Sequence, residues 1–192
     1  MGSIVVSEFM TLDGVVEAPG GEFQPDGRTG WVAPHFTPAL GAFKLDELLA
    51  ADALLLGRRT YEQFARAWPP RSDEQGFADR MNALPKHVAS TTLEAPLEWN
   101  ATILGDDFAR SVTELKQRYS RDILVCGSAD LVHTLARHDL VDEYRLMLFP
   151  VFLGGGRRLF REGSASIPLT LARTVPLEGG VVVHSYEPAR TT

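Results

Sequence analysis

The sequence predicts an α/β fold, a central and mostly parallel sheet with helices on both faces and an antiparallel hairpin at its C-terminal end. Three observations carry this. The run Ile123-Leu124-Val125-Cys126 has the length and apolar character of a strand buried on both faces, and Gly127-Ser128 breaks it. A helical period then starts at Asp130, with Leu131, Val132, Leu135 and Ala136 on one face, and a second apolar run spans Tyr144 to Phe152. Strand, glycine turn, helix and strand make a βαβ unit with a right-handed crossover. Asp52-Ala53-Leu54-Leu55-Leu56 followed by Gly57 repeats the strand-to-glycine-to-helix pattern upstream. Ile167 to Val175 and Val181 to Tyr186 flank Gly179-Gly180, the arrangement of an antiparallel hairpin.

The remaining elements follow in order. Ser3 to Phe9 is β-branched and apolar enough for a first strand, and Asp13-Gly14 signals the turn after it. Glu17 to Gly30 is rich in Gly and Pro and lacks any period, which marks a long loop of the kind that carries function. Phe36 to Ala50 has helical spacing through Leu40, Phe43, Leu48 and Leu49, with Pro38 suited to its first turn. Trp68-Pro69-Pro70-Arg71 ends the helix that follows Gly57. Glu74 to Leu84 is a short helix or an ordered loop, and its residues do not decide which. Pro85 to Ala89 forms a third strand leading into Ser90-Thr91-Thr92, and Trp99 to Leu104 a further one. Asp106 or Asp107 suits the N-cap of a helix whose apolar face is Val112, Leu115 and Tyr119.

Bulk properties narrow the function. The 192 residues fit one domain spanning 1–192, and a formal net charge of −6 argues against nucleic-acid or membrane-surface partners, which select a basic face. The chain has one cysteine, Cys126, so no internal disulfide forms, and no Cys/His cluster has metal-ligand spacing. Cys126 reads as a small strand residue. No signal-peptide pattern precedes the first strand and no apolar run approaches the ~20 residues of a membrane span, so a cytoplasmic location is expected.

Chemistry gathers at the strand ends. Gly57-Arg58-Arg59-Thr60 puts a glycine, two forked cations and a hydroxyl at a helix start, where free backbone N–H groups stabilise anions. Adjacent arginines there oppose the helix macrodipole, and an anionic ligand relieves that. Gly127-Ser128 is either a second such turn or simply a tight one. Asp13 is by turn chemistry a structural residue. Trp31 is either core or the floor for a flat heterocycle, and His35 either a cap or a proton carrier near neutral pH. Arg157 and Arg158 either meet an anionic substrate or are solvated.

The ordered string Leu140-Val141-Asp142-Glu143, Pro150, Leu153-Gly154-Gly155-Gly156 and Leu159-Phe160 resembles the reductase domain of the bifunctional riboflavin-biosynthesis deaminase-reductase, in the dihydrofolate reductase-like superfamily. Gly57-Arg58-Arg59-Thr60 is similar to the Gly-Arg-x-Thr turn of dihydrofolate reductases. The resemblance implies a three-layer fold and an NADPH cofactor held by Gly57, Arg58, Arg59, Thr60, Ser90, Thr91, Gly127, Ser128, Ala129, Asp130 and Leu131. It places Asp13 at the loop flanking nicotinamide and substrate; Asp13 and His35 are the catalytic candidates, and Trp31, Gly155 and Gly156 the candidate substrate contacts. Where the superfamily usually has an arginine after the Ser90-Thr91 pair, this chain has Thr92, which shifts the NADP preference onto Arg58 or Arg59.

Dihydrofolate reductases hold the pterin with a helix carboxylate. The matching stretch here, Ala39 to Phe43, has no acid, and Asp46 and Glu47 come later, where helical phase turns either one away. The expected activity is therefore an NADPH-dependent reduction of a C=N or C=O bond in a pteridine-, pyrimidine- or flavin-like compound rather than of dihydrofolate. A non-catalytic NADP(H)-binding protein is the second reading and a ligand-free dimer the third. A homodimer is expected, with Leu146 to Phe152 as a candidate pairing strand, and no metal.

Overall fold

The structure, a computed structural model, describes residues 1–21, 29–163 and 166–189. Half of the long loop expected over Glu17 to Gly30, residues 22–28 with Pro25-Asp26-Gly27, lies outside the described residues. The elements in chain order are β1 (Ser3–Thr11), α1 (Pro38–Ala50), β2 (Ala51–Gly57), α2 (Arg58–Ala67), α3 (Phe77–Ala83), β3 (Lys86–Ala89), β4 (Ala101–Ile103), α4 (Phe108–Arg118), β5 (Asp122–Val125), α5 (Ala129–Arg137), β6 (Glu143–Phe149), β7 (Leu169–Pro176) and β8 (Val182–Pro188). They build one sheet of eight strands in the order β4-β3-β2-β5-β1-β6-β8-β7. The pairs from β4 to β6 are parallel, and β8 and β7 close the far edge as the antiparallel hairpin.

Local chemistry explains the boundaries. Thr37 caps α1 by accepting from the Leu40 amide, with Pro38 at the first position. Asp107, not Asp106, caps α4 through the Arg110 amide. The undecided stretch from Glu74 is helical because the Asp73 carboxylate accepts from the amides of Phe77 and Ala78, while Gly76 takes φ 78 to turn the chain into α3. Tyr119 is the C-cap of α4 and packs against the same cluster as Val112 and Leu115, with its hydroxyl 2.8 Å from His87 Nε2.

Strand alternation divides the core. Ile4, Val6 and Met10 of β1 pack with Val112 and Leu115 of α4 and Leu131, Val132 and Leu135 of α5 on one face. Val5 with β2, and Leu48, Tyr61 and Met81 of α1, α2 and α3, form the other. Each fully buried Leu or Val here is worth about 1.5–3 kcal/mol relative to an exposed one. A third cluster joins Trp31, Leu40, Met147, Phe149 and Val183 where the hairpin meets α1. This corrects the pairing strand expected at Leu146 to Phe152. β6 is internal, its Leu146, Met147 and Phe149 are buried in the chain's own core, and Phe152 alone of the large apolar residues in that run is mostly exposed. Among the described residues, no helix is long and apolar enough to cross a membrane.

The connections place the site. From β1 the chain crosses by α1 to β2, on one side of β5; from β5 it crosses by α5 to β6, on the other side of β1. The two crossovers leave in opposite directions, so a crevice opens between the carboxyl ends of β1 and β5, the topological switch point where open α/β sheets bind ligands.

Candidate functional site

Three strand ends stand in a row beside this crevice. β3, β2 and β5 are neighbours, with Gly57 opposite Ala89 and Leu55 opposite Val125, so the turns at Ser90, Gly57 and Gly127 line up over roughly 10 Å, two inter-strand spacings. The last two interlock. The Gly57 amide donates to the Gly127 carbonyl at 3.4 Å, and a Cβ on Gly57 would stand 2.5 Å from Ser128 Oγ. Gly127 sits at φ +86, and a Cβ there would meet Thr60 Oγ1 at 2.9 Å. Glycine at both positions is what lets the two turns approach.

This packing exposes backbone donors. The N-caps of α2 and α5, Gly57 and Ser128, give no side-chain acceptor to the first-turn amides. By contrast α1, α3 and α4 are capped by Thr37, Asp73 and Asp107. The uncapped helices are thus the two whose N-termini meet at the same end of the sheet, and their open N–H groups and positive dipole ends make one anion-attracting face. Arg58 leans back onto Glu62 at 3.1 Å, and Arg59 is exposed with no ion pair among the described residues. Ser90 Oγ accepts from the amides of Thr92 and Leu93, which leaves its proton free to donate, and Thr91 is exposed. Ala129 and Leu131 are buried, so only their backbone faces this row. The Asp130 carboxylate is taken by Arg157 and Arg161, which hold it ionised against the cost of burial. That corrects the expectation for Asp130: its side chain tethers the loop after β6 to the start of α5. It also assigns Arg157, left open above, to the same tether.

Gly57→Ala is expected to weaken binding of a phosphate-bearing ligand about ten-fold by wedging the two turns apart, and Gly57→Ala with Ser128→Gly to recover most of it by removing the obstructing hydroxyl. Calorimetric titration with a nucleotide checks both, and an undiminished single variant would show that the close approach is irrelevant to binding.

The other sequence candidates fall elsewhere. Asp13 Oδ1 accepts from Thr11 Oγ1 and the Leu153 amide, and Oδ2 from the Gly154 amide at 2.9 Å. The Thr11 hydroxyl leads in holding its pKa below the ordinary carboxylate range, so Asp13 is an ionised clasp that fixes the glycine loop to the exit of β1. Gly156 belongs to the same seam: a Cβ there would lie 2.8 Å from Val15 Cγ1, and Gly155 sits beside it. Trp31 is 6% exposed, its indole donates to the Glu17 carbonyl and its ring meets the edge of Phe149, so it is core and not an open floor. His35 lies against Phe149 as well, with Nδ1 3.3 Å from the Gly179 carbonyl, which ties it to the hairpin turn. Both rings lie against Phe149, which in turn meets Phe9.

The crevice itself is floored by Ser7, Lys44 and Glu47, none of them a site residue expected from the sequence. Ser7 donates to Glu47 Oε2 at 2.9 Å, and Lys44 Nζ donates to both Ser7 Oγ and Glu47 Oε2 at 2.7 Å. Glu47 is 4% exposed while Asp46 is exposed, so helical phase turns Glu47 inward, contrary to expectation. Arg145 reaches the second oxygen of Glu47 at 3.5 Å. Burial opposes the charge on Lys44, but Glu47, bonded to it at 2.7 Å, more than offsets this and its pKa is raised. Burial pushes the Cys126 thiol up to about 11, which makes it inert at neutral pH. On the other face of β1, Glu8 is 8% exposed, one carboxyl oxygen has no partner, and the Gly127 amide acts on the carboxyl. Burial raises its pKa to about 8, against the smaller pull of Gly127 and Lys44. The signal in the sequence was available: Glu8 interrupts the parity of Ile4, Val6 and Met10 in an apolar strand.

The eight-stranded sheet with its switch-point crevice and hairpin defines a dihydrofolate reductase-like domain. The RibD C-terminal domain model matches residues 3–183, and the chain belongs to that family. It is 30% identical over 186 residues to the uncharacterized protein YyaP of Bacillus subtilis, covering 95% of this chain and 93% of that one. Its fold is similar to that of a Shewanella sp. PV-4 protein attributed to riboflavin biosynthesis, at 20% identity and a TM-score of 0.74, with 98% and 99% of the two chains covered. It is similar too to the Enterococcus faecalis dihydrofolate reductase complexed with NADP(H), at 15% identity and a TM-score of 0.63, over 98% and 97% of the chains. At these identities the two structures speak for the fold alone.

Proposed function

We propose that this protein is an NADPH-dependent reductase acting on a C=N or C=O bond of a small pteridine-, pyrimidine- or flavin-like heterocycle. The observation that carries the reading is the pair of uncapped helix N-termini interlocked at Gly57 and Gly127, flanked by Arg58 and Arg59. An extended dinucleotide fits this row. The open amides of α2 and α5 would hold its pyrophosphate, and Arg58, Arg59, Ser90 and Thr91 would hold the adenosine phosphate. When bound, the cofactor supplies hydride, and the chain supplies orientation, water exclusion and the proton. Membership of the RibD C-terminal family supports the reductase class, and the dihydrofolate reductase with NADP(H) is a relative in fold that takes this cofactor.

For Arg58 to grip a phosphate it must leave Glu62, a half-exposed pair worth little. Micromolar NADPH binding, much tighter than NADH, is expected by calorimetry. In the double variant Arg58→Ala, Arg59→Ala it should weaken by about 1.5–3 kcal/mol, roughly 10- to 150-fold. Absence of binding by either nucleotide at millimolar concentration overturns the reading.

A further inference from the structure

Among the described residues, Glu8 is the acid at the crevice that the fold neither pairs with a cation nor exposes. It lies two positions beyond Val6, the last residue of β1 paired with β5, where β5 has already turned at Gly127. From α1 come Lys44 and Glu47, bonded to each other and to Ser7. From the end of β5 comes Cys126, and the strand partner of Glu8 on β6 is Leu146. α5 offers Leu131 and Val132, with Asp130 turned away to Arg157 and Arg161. Asp13 is turned to the glycine loop. No cation contacts the Glu8 carboxyl among the described residues; Lys44 acts on it only at a distance. A buried carboxyl with one oxygen unpartnered is costly unless it is neutral or completed by something that binds.

We infer that Glu8 is a proton site linked to the redox state of the bound nicotinamide, protonated when the ring is reduced and neutral and ionised when the ring is oxidised and cationic. The inference rests on the cofactor reading above, in which phosphates held at Gly57 and Gly127 would leave the reactive end of the molecule to the adjoining crevice. A cation arriving beside a buried neutral acid favours the carboxylate, and a neutral ring does not. The stoichiometry matches the proposed reaction. Reduction of C=N or C=O forms one C–H bond with the hydride and one N–H or O–H bond with a proton. Glu8 breaks its O–H bond to give that proton, keeps the electron pair as a carboxylate, and is reprotonated from solvent once the oxidised nucleotide leaves. Its folded-state pKa of about 8 has it mostly protonated at neutral pH before this happens.

The test needs no substrate. NADP+ and NADPH are each titrated into the full-length protein by calorimetry at pH 7 in buffers of different ionisation enthalpy, and again at pH 9. NADP+ binding at pH 7 is expected to release about half a proton or more beyond that released by NADPH. The ratio of NADP+ to NADPH affinity should rise about five- to ten-fold from pH 7 to pH 9. Taking the ratio cancels the adenosine phosphate, which both nucleotides carry. Glu8→Gln should still bind both nucleotides and lose both effects. Equal proton release with the two nucleotides in the wild type overturns the inference, and so does a Glu8→Gln protein that keeps the linkage. If neither nucleotide binds, the cofactor reading itself fails and this inference with it, an outcome distinct from binding without proton release.

Discussion

Lys44→Met is expected to cost the protein about 3 kcal/mol of folding stability, read as a lower urea midpoint at unchanged slope. Methionine keeps the unbranched stem and much of its packing while removing the charge. Glu47, 4% exposed, then loses its closest partner, and Ser7 loses a donor to its hydroxyl. Removing one member of a buried ion pair commonly costs about 3–5 kcal/mol. The lower end applies because Arg145 still reaches the other Glu47 oxygen at 3.5 Å. Removing both charges, Lys44→Met with Glu47→Leu, should return most of the loss, and the double-mutant cycle isolates the pair. A single variant destabilised by less than about 1 kcal/mol would show that water reaches Glu47 and that the cluster is not sealed.

Such a cluster contributes little net stability over a packed apolar core, since desolvating the charges offsets their attraction. Its place explains it better than its energy. It sits under the switch-point crevice, between β1 and α1, where an apolar floor would offer a polar heterocycle nothing to bond. Phe9 covers Lys44 on the side of the third core cluster, with Nζ 5.6 Å from the ring centroid. The crevice therefore has a charged floor beside an aromatic wall, a combination suited to a flat polar ring.

The periodic elements were legible because each is fixed by local chemistry. The strand at Asp52 and the helix from Phe36 were expected from spacing alone and stand within two residues of the observed bounds. The interlocking turns were legible as glycines with hydroxyls and arginines at strand ends. What was not legible depends on partners distant in sequence. Asp13 reads as a turn residue, and only its reach of 140 positions to the Leu153 amide shows that it clasps a loop. Asp130 stands at a helix start where an anion-binding turn was expected, but Arg157 and Arg161 come from beyond β6 to claim it. Glu47 was set aside on helical phase, because a phase argument lacks a reference until one knows which face meets β1. Ser7 and Lys44, 37 positions apart, give no sign of each other in the sequence.

The second large effect is a pH dependence with an unusual direction. A carboxylate that gains partners on folding stabilises the protein more as pH rises; Glu8 does the reverse. Its ordinary pKa of 4.5 applies to the unfolded chain and burial carries it to about 8 in the folded one. Between those values the unfolded state sheds a proton that the folded state keeps, so stability present below pH 4.5 is lost as pH rises through 8. The full span is about 5 kcal/mol at 1.36 kcal/mol per unit. His87 works against it at the acid end. Burial, with Arg118 adding to it, lowers the His87 pKa from 6.5 to about 4, so its contribution is complete above pH 6.5 and fades below. The two slopes oppose each other from about pH 4.5 to 6.5, and the wild type should change little there. From 6.5 to 8 Glu8 acts alone of the two, and stability should fall by about 1–2 kcal/mol. Glu8→Gln, which keeps the shape and cannot ionise, should gain stability up to pH 6.5 and then stay level to pH 8. The difference between the two proteins, measured by urea melts at half-unit intervals, should grow steadily with pH and favour the variant. A difference that is flat, or that favours the wild type as pH rises, would mean that Glu8 is ionised in the folded protein at neutral pH. A variant that is more stable but has lost the proton linkage to NADP+ would identify Glu8 as a residue whose stability cost belongs to the site.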